Sequence, residues 1–491
     1  MGCAASLNFW TTRMSAHSHL SLHSPAPPVH HGSLLQFSEN PIACMRLLHQ
    51  RYGDIAVLQD GGQQLVFVFS PELNRQVLAD GNVFHSRFFA VRGSRNSAQR
   101  RVTSGLLSQN GSEHRDTRRA LKDVFARKAL PGYHDIICRL TSELLAGWQT
   151  DAACDLNSEM VQFMLRMTSA LLFGMDDPAF AERLGRLIDR WTHRNHEIGM
   201  GALVSAPQFS QGYDGLLQQA EELEQSIREM FARHRSGSPG GMNILSLLMD
   251  NVAAEQQLSD DQLVGHATLM FAAAHLTTAH TFSWTLFLLA QHPHVLQRLQ
   301  QELAEQISGD VPQLDELERL PYLDAVIRES MRVLPASSYS QRITAEPVVL
   351  GGLPLNAGNV VIFSQYMTHH RADLFERPDE FLPERWASIN PSPYAYLPFG
   401  AGPRMCIGAT LAMVEIRTAL TMMLKRFAFQ IEPQSIINGN VISTMLGPTS
   451  SIPARLIPGG CLPTAVPVSG SIHELLLLPP EARPEVQRRA A

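Results

Sequence analysis

The stretch FGAGPRMCIG, residues 399–408, places a single cysteine among three glycines, with a proline and an arginine just before it. A lone cysteine in an apolar helix is usually an inert small hydrophobe. Cys406 is set differently. Gly400, Gly402 and Gly408 permit a tight loop whose backbone amides can point at a sulfur, and Arg404 adds a nearby cation. Such donors favour the thiolate, the form that ligates a metal. The following IGATLAMVEIRTALTMMLKRF reads as a long helix, so the positive end of its dipole also falls on the sulfur.

Two further motifs stand upstream in order. ESMR contains Glu329 and Arg332 at i,i+3, neighbours on one helix face. FLPERW contains Arg385, 21 residues before the cysteine (406 − 385). With Phe399, Gly402, Arg404, Cys406 and Gly408 in the spacing F-x-x-G-x-R-x-C-x-G, the chain resembles the cytochrome P450 family of haem-thiolate monooxygenases, of the soluble bacterial type, over roughly residues 36–456.

The resemblance implies a mainly α fold with a minor β portion and a haem b (iron protoporphyrin IX) ligated through Cys406. It implies a structural clamp in which Arg385 joins Glu329 and Arg332 behind the haem loop. It also implies cationic partners for the two haem propionates. His114 and Arg118 fall at i,i+4 in EHRDTRRALKDVF, Arg342 lies in YSQRITAEP, and Arg404 lies in the cysteine loop. Phe399, Gly402 and Gly408 complete the expected cofactor-binding set.

The helical stretch LMFAAAHLTTAHTFSW, residues 269–284, lies where the family's central helix crosses the haem. Against the family pattern [AG]-G-x-[DE]-T-T it reads Ala273-Ala274-His275-Leu276-Thr277-Thr278. Thr277 corresponds to the oxygen-side threonine, whose hydroxyl can bond the carbonyl four residues back and bend the helix. Leucine stands where the proton-relaying acid is expected. Three explanations are open: His280 supplies the relay as an imidazole shuttle; water or a polar substrate group completes it through Thr277; or the protein performs peroxide-driven or rearrangement chemistry. Thr277, Thr278 and His280 are thus the catalytic candidates, and a haem protein that binds a ligand without turnover is the reading outside enzymes.

Working outward, 491 residues with 44% hydrophobic and 18% charged composition suit one large domain with a large interior. A net charge of −6 argues against nucleic acid as a partner. Six scattered cysteines (3, 44, 138, 154, 406 and 461) form no CxxC pair and suggest a reducing compartment, hence a cytoplasmic location. No apolar run reaches membrane-spanning length, so no transmembrane anchor is expected. MGCAAS matches a loose acylation pattern that short stretches meet by chance. Residues 1–35 read as a flexible lead-in, Asp60-Gly61-Gly62 as a hairpin turn, 113–333 as mostly helical, and 457–491 as a loose Pro-rich tail.

Two basic clusters remain. RFFAVRGSRNSAQRR (87–101) holds Arg87, Arg92, Arg95, Arg100 and Arg101 without an acid. Read as a site rather than a solvated loop, it would take an anionic or carrier-bound small-molecule substrate. Arg118, Arg119, Lys122, Arg127 and Lys128 form the second. By the resemblance it lies near the face where a ferredoxin or flavodoxin-type electron donor, served by its own reductase, would dock. Substrate contacts are expected from Phe88, Phe89, residues 336–340 and residues 444–449.

Overall fold

The computed structural model describes residues 28–87, 91–204, 212–236, 243–255 and 258–484. The helices that position the site are α1 (Gly111–Leu121), α2 (Leu156–Phe173), α3 (Pro178–Val204), α4 (Tyr213–Arg235), α5 (Asp260–Gln291), α6 (Pro321–Val333) and α7 (Ala409–Arg426). The expected mainly α fold with a minor β portion is observed.

α5 is the axis of the molecule. It starts on a capping box: the Gln262 amide donates to Ser259 Oγ, and the Ser259 amide donates to Gln262 Oε1 at 2.9 Å. Asp260 and Asp261 complement the dipole in its first turn. At 32 residues it runs about 48 Å. From Leu263 to Gln291 it is buried almost all round, as a helix through the middle of a large core must be. The exceptions cluster at Met270, Ala272, Ala273, Ala274, Leu276, Thr277 and His280. Burial is interrupted where the helix passes the site. α2 lies along it, with Phe163 edge-on to Phe282 at 5.9 Å.

A six-stranded sheet forms the opposite flank, from β1 (Val29–His31), β2 (Ile55–Asp60), β3 (Gln63–Val68), β4 (Phe84–Ser86), β5 (Ser340–Thr344) and β6 (Val360–Phe363), in the order β1-β2-β3-β6-β5-β4. β2 and β3 are the hairpin expected around Gly61, whose φ of 53° suits the turn. β4 and β5 are antiparallel with Ser86 opposite Arg342, a register that sets Arg342 at the cavity wall. A separate hairpin, β7 (Gly439–Ile442) and β8 (Met445–Pro448), leans on α5, where Trp284 Nε1 donates to the Leu446 carbonyl at 3.4 Å.

Both expected loose ends need correction within the described residues. Residues 29–31 pair in parallel with β2, and the buried Leu34 donates its amide to Asp60 Oδ2 at 2.9 Å. Residues 1–27, including MGCAAS, lie outside the described residues. At the other end, the strand Pro453–Pro458 pairs with Phe427–Ile431, and the chain then keeps packing. Val468, Ile472, Leu475, Leu476, Leu478 and Ala482 are all buried. The Leu477 amide donates to the Asp379 carbonyl at 2.7 Å, and Tyr366 Oη to the Leu475 carbonyl at 2.6 Å. The physical reason is the apolar run in SIHELLLL, which the surrounding Pro and Gly obscure in composition. Residues 485–491 lie outside the described residues.

Candidate active site

The cysteine loop takes its shape from its glycines. Gly400 and Gly402 have φ of 68° and 71°, and a Cβ on Gly402 would run into the Leu78 carbonyl oxygen. The Cys406 amide donates to the Phe399 carbonyl at 2.8 Å, which closes the loop, and Gly408 is the residue before α7. The sulfur opens onto a cavity of about 440 Å³ between the loop and α5. Cys406 is exposed to the cavity, while the atoms packed around the loop raise its thiol above its usual range and the Gly408 amide and Arg118 pull it down. A metal held by this sulfur would favour the thiolate.

His114, Arg118, Arg342 and Arg404 all line this cavity. Arg404 donates to the Gln109 carbonyl and, at 2.7 Å, to Asn110 Oδ1. Arg342 donates to its neighbour's carbonyl at 2.9 Å and lies over the Phe363 ring. Burial, then mutual repulsion, lowers Arg342 and Arg404 to about 10 and His114 to about 4. Arg118 is lowered by burial while Cys406 opposes the shift. No salt bridge to a carboxylate is formed by any of the four among the described residues. Three arginines turned toward one cavity with no carboxylate paired to them among the described residues call for an anion to offset them. A dianionic porphyrin carrying iron for Cys406 fits both demands.

Behind the loop, the expected clamp is assembled in full. Arg332 donates through Nε to Glu329 Oε2 at 3.0 Å and through Nη2 to Oε1 at 2.8 Å. Arg385 Nε donates to Glu329 Oε1 at 2.9 Å. Glu329 and Arg332 are completely buried, and Arg385 is 7% exposed. Trp386 Nε1 also donates to Glu329, at 2.9 Å, and the Leu382 amide at 3.0 Å, so the carboxylate is fully satisfied. Arg332 Nη1 then reaches the carbonyls of His369 and Pro378, tying α6 to the segment that leads into the cysteine loop. Trp386 was missing from the expected clamp although it is the next residue of FLPERW.

On the α5 wall, Thr277 Oγ1 donates to the Ala273 carbonyl at 2.7 Å, as expected, while the α-helix runs through the position without a break. Thr281 repeats the bond to the Thr277 carbonyl at 2.9 Å. Thr277, Thr278 and Thr281 line the cavity. His280 does not. Its ring packs against Gly447 of β8 so tightly that a Cβ there would overlap it, and its Nδ1 has no hydrogen-bond partner among the described residues. Burial pushes His280 to about 4, so it is neutral near neutral pH. The relay role expected for His280 is not supported, because the ring is seated against the β7–β8 hairpin and not on the cavity wall. His275 also points away, with Nε2 3.1 Å from the Val161 carbonyl.

One cavity-wall residue was not anticipated. Glu415 is buried, and burial raises its carboxyl to about 8, so it holds a proton near neutral pH. Its signal in the sequence is an acid set between Val414 and Ile416 in an apolar helix. The five-arginine cluster is divided. Arg101 pairs with both oxygens of Glu224 on α4 at 2.7 Å, and Arg92 donates to the Ser108 carbonyl. Arg87 alone of them lines the cavity. In the second basic stretch, Arg119 pairs with Asp116 and Lys128 with Asp123, all exposed, whereas Arg118 faces inward. Of the expected contact segments, residues 336, 337, 339 and 340 line the cavity, whereas of 444–449 only Thr444 does, joined by Ser443 just before it. Phe88 and Phe89 lie outside the described residues. No described helix is long and apolar enough to cross a membrane.

This arrangement has known counterparts. The cyclooctat-9-en-7-ol 5-monooxygenase of Streptomyces melanosporofaciens is 28% identical over 393 residues, covering 78% of this chain and 84% of the relative. The cyclooctatin synthase of the same organism is 26% identical over 436 residues, covering 86% and 93%. Among solved structures, the retinoic acid-bound cyanobacterial CYP120A1 superposes with a TM-score of 0.75 at 21% identity, covering 88% of this chain and 99% of the other. The cytochrome P450DA heme domain gives 0.74 at 23% identity, covering 85% and 93%. Both structural likenesses concern the fold. The family model described as Cytochrome P450 matches residues 23–450, and with it the chain belongs to the cytochrome P450 family.

Proposed function

We propose that this protein is a monooxygenase that inserts one oxygen atom from dioxygen into a C–H or C=C bond of a mainly apolar small organic molecule. The observation that carries this reading is the convergence of Cys406, three arginines and His114 on one cavity roofed by Thr277. Haem b, when bound, supplies the oxidising chemistry, and the protein supplies position and protons. Cys406 would hold the iron, and His114, Arg118, Arg342 and Arg404 the propionates. Apolar side chains such as Leu171, Leu269 and Met270 make up much of the remaining wall and exclude bulk water. The relative that acts on cyclooctat-9-en-7-ol supports an apolar ring compound as the substrate type.

Proton supply falls to groups other than the missing acid. Thr277 commits its hydroxyl hydrogen to Ala273, leaving its oxygen to accept from a water or a substrate hydroxyl. Electrons come from a separate ferredoxin or flavodoxin-type donor with its reductase. The exposed basic residues Lys122 and Lys128 near α1 would steer an acidic partner, so the rate of first electron transfer should fall as salt rises.

The test is the spectrum of the reduced, CO-bound protein after haem loading. A strongly red-shifted, thiolate-type Soret band is expected, and C406S should abolish it. A wild-type band at the position typical of neutral-ligand haem would overturn the reading. Leu276 favours a second reading, in which peroxide drives the reaction or the reaction is a rearrangement. Product formed per NADH consumed, compared with product formed on added peroxide, separates the two. L276E should raise coupling if the native chain lacks a relay for the substrate tested.

A further inference from the structure

Of the five arginines between residues 87 and 101, Arg101 is accounted for by its ion pair with Glu224. Arg87 and Arg92 pair with no carboxylate among the described residues. The Arg92 guanidinium donates to the Ser108 carbonyl at 3.1 Å, and the exposed Arg87 guanidinium donates to no group among the described residues. Burial, then repulsion from Arg100 and Arg87, lowers Arg92, with Glu113 opposing the shift. The two arginines therefore share a positive field that Glu113 offsets only in part.

Arg87 stands where two cavities adjoin. Beside the cavity under Thr277 lies a second one, of about 350 Å³, walled by residues 34–38, the start of β3 and the strand β6. Arg87, Tyr339 and Gln341 line both. The wall of the second cavity is partly polar, with Ser38, Gln63, Gln64 and Asn359, and Arg87 is its one charged residue among the described residues. None of the four residues assigned above to the propionates touches it. The backbone that carries Arg87 is held at the sheet edge. The Ser86 amide donates to Asn110 Oδ1 at 2.8 Å, and Gln341 Nε2 donates to the Arg87 carbonyl at 3.1 Å. The junction thus offers a fixed, accessible and unpaired cation between an apolar space and a polar one.

We propose that Arg87 anchors the substrate by an oxyanion: its guanidinium takes the carboxylate or phosphate head of a molecule whose apolar body occupies the cavity under Thr277. A guanidinium presents paired N–H groups to two oxygens of such a head. The polar second cavity lets water reach the head, so its charge is not stripped of solvent on binding. A body fixed at one end presents for oxidation a carbon set by its distance from that head. This inference rests on the monooxygenase reading above. The competing roles are a solvated surface cation and a further partner for the haem.

The haem-loaded protein is titrated with dodecanoate, dodecyl phosphate and 1-dodecanol, following the shift of the ferric Soret band. At least one of the two anions should bind roughly tenfold more tightly than the alcohol at low salt, and the tighter of them identifies the head. That excess should shrink as KCl is added, while the dissociation constant of the alcohol stays in place. R87A should keep its haem and its affinity for the alcohol but lose the excess. R87K, a point charge without the fork, should retain part of it. Equal affinities in the wild type, or an excess that survives R87A, is the result a solvated cation gives and would overturn the inference. Loss of haem in R87A would assign Arg87 to the cofactor and overturn it as well. A Soret band that answers none of the three ligands sinks the apolar-substrate reading too. A response without the excess sinks only this inference, because the CO-bound spectrum decides the haem-thiolate reading by itself.

Discussion

At the scale of single residues, burial sets protonation more than charge partners do. Glu415 has no cation among the causes of its shift; desolvation alone raises it to about 8 from an ordinary 4.5. A carboxyl raised in the folded state binds its proton more tightly there than in the unfolded chain. Its contribution is therefore intact below about 4.5 and is lost as pH rises through 8. The span of 3.5 units (8 − 4.5) corresponds to about 5 kcal/mol at most. E415Q is uncharged at every pH. Its melting temperature should match wild type at pH 5 and exceed it by several degrees at pH 8; a difference that stays flat between those values would show that Glu415 is not neutral in the folded protein. Cys406, Arg404 and the Glu329 clamp were legible in the sequence because each sits in a local motif of fixed spacing. Glu415 was not. Its protonation comes from what surrounds it in space, and one sequence does not display that.

At the scale of elements, the decisive contacts are between pieces distant in sequence. The Glu329 carboxylate takes five hydrogen bonds, from Arg332 (two), Leu382, Arg385 and Trp386. Breaking a buried ion network of this kind costs roughly 3–5 kcal/mol. R385A should therefore purify with little haem, read as the haem-to-protein ratio, rather than show altered kinetics. The α5 contact with β8 has a different logic. Periodicity placed His280 one turn from Thr277, but the β7–β8 hairpin it packs against could not be foreseen from helical spacing. A methyl on Gly447 would overlap the His280 ring. G447A should destabilise by about 1–3 kcal/mol through overpacking. H280A combined with G447A should recover most of that loss, and H280F should leave product coupling unchanged. Additive losses in the double variant would mean the ring is not seated on Gly447.

At the scale of the whole molecule, the chain closes on itself at the clamp. The family model ends at residue 450, and Pro- and Gly-rich composition suggested a loose tail beyond 457. The structure instead returns residues 468–482 to the region of Tyr366 and Asp379, next to the carbonyls that Arg332 holds. Arg46 adds a tie from the N-terminal side, donating to the Glu474 carbonyl at 2.6 Å and to Tyr366 Oη at 2.6 Å. Val468, Ile472, Leu475, Leu476 and Leu478 are each 5% exposed or less. At roughly 1.5–3 kcal/mol per buried aliphatic side chain, an upper bound, their packing matches a large share of a protein's usual margin of 5–15 kcal/mol. A chain ending at Gly459 should thus lose haem and melt well below the full-length protein, although every motif of the active site is retained. I472D should reproduce this effect by placing a charge at a fully buried position, and L462D, at a position 41% exposed, should not. Normal haem content in the truncated chain would mean that the C-terminal segment covers the clamp without supporting it.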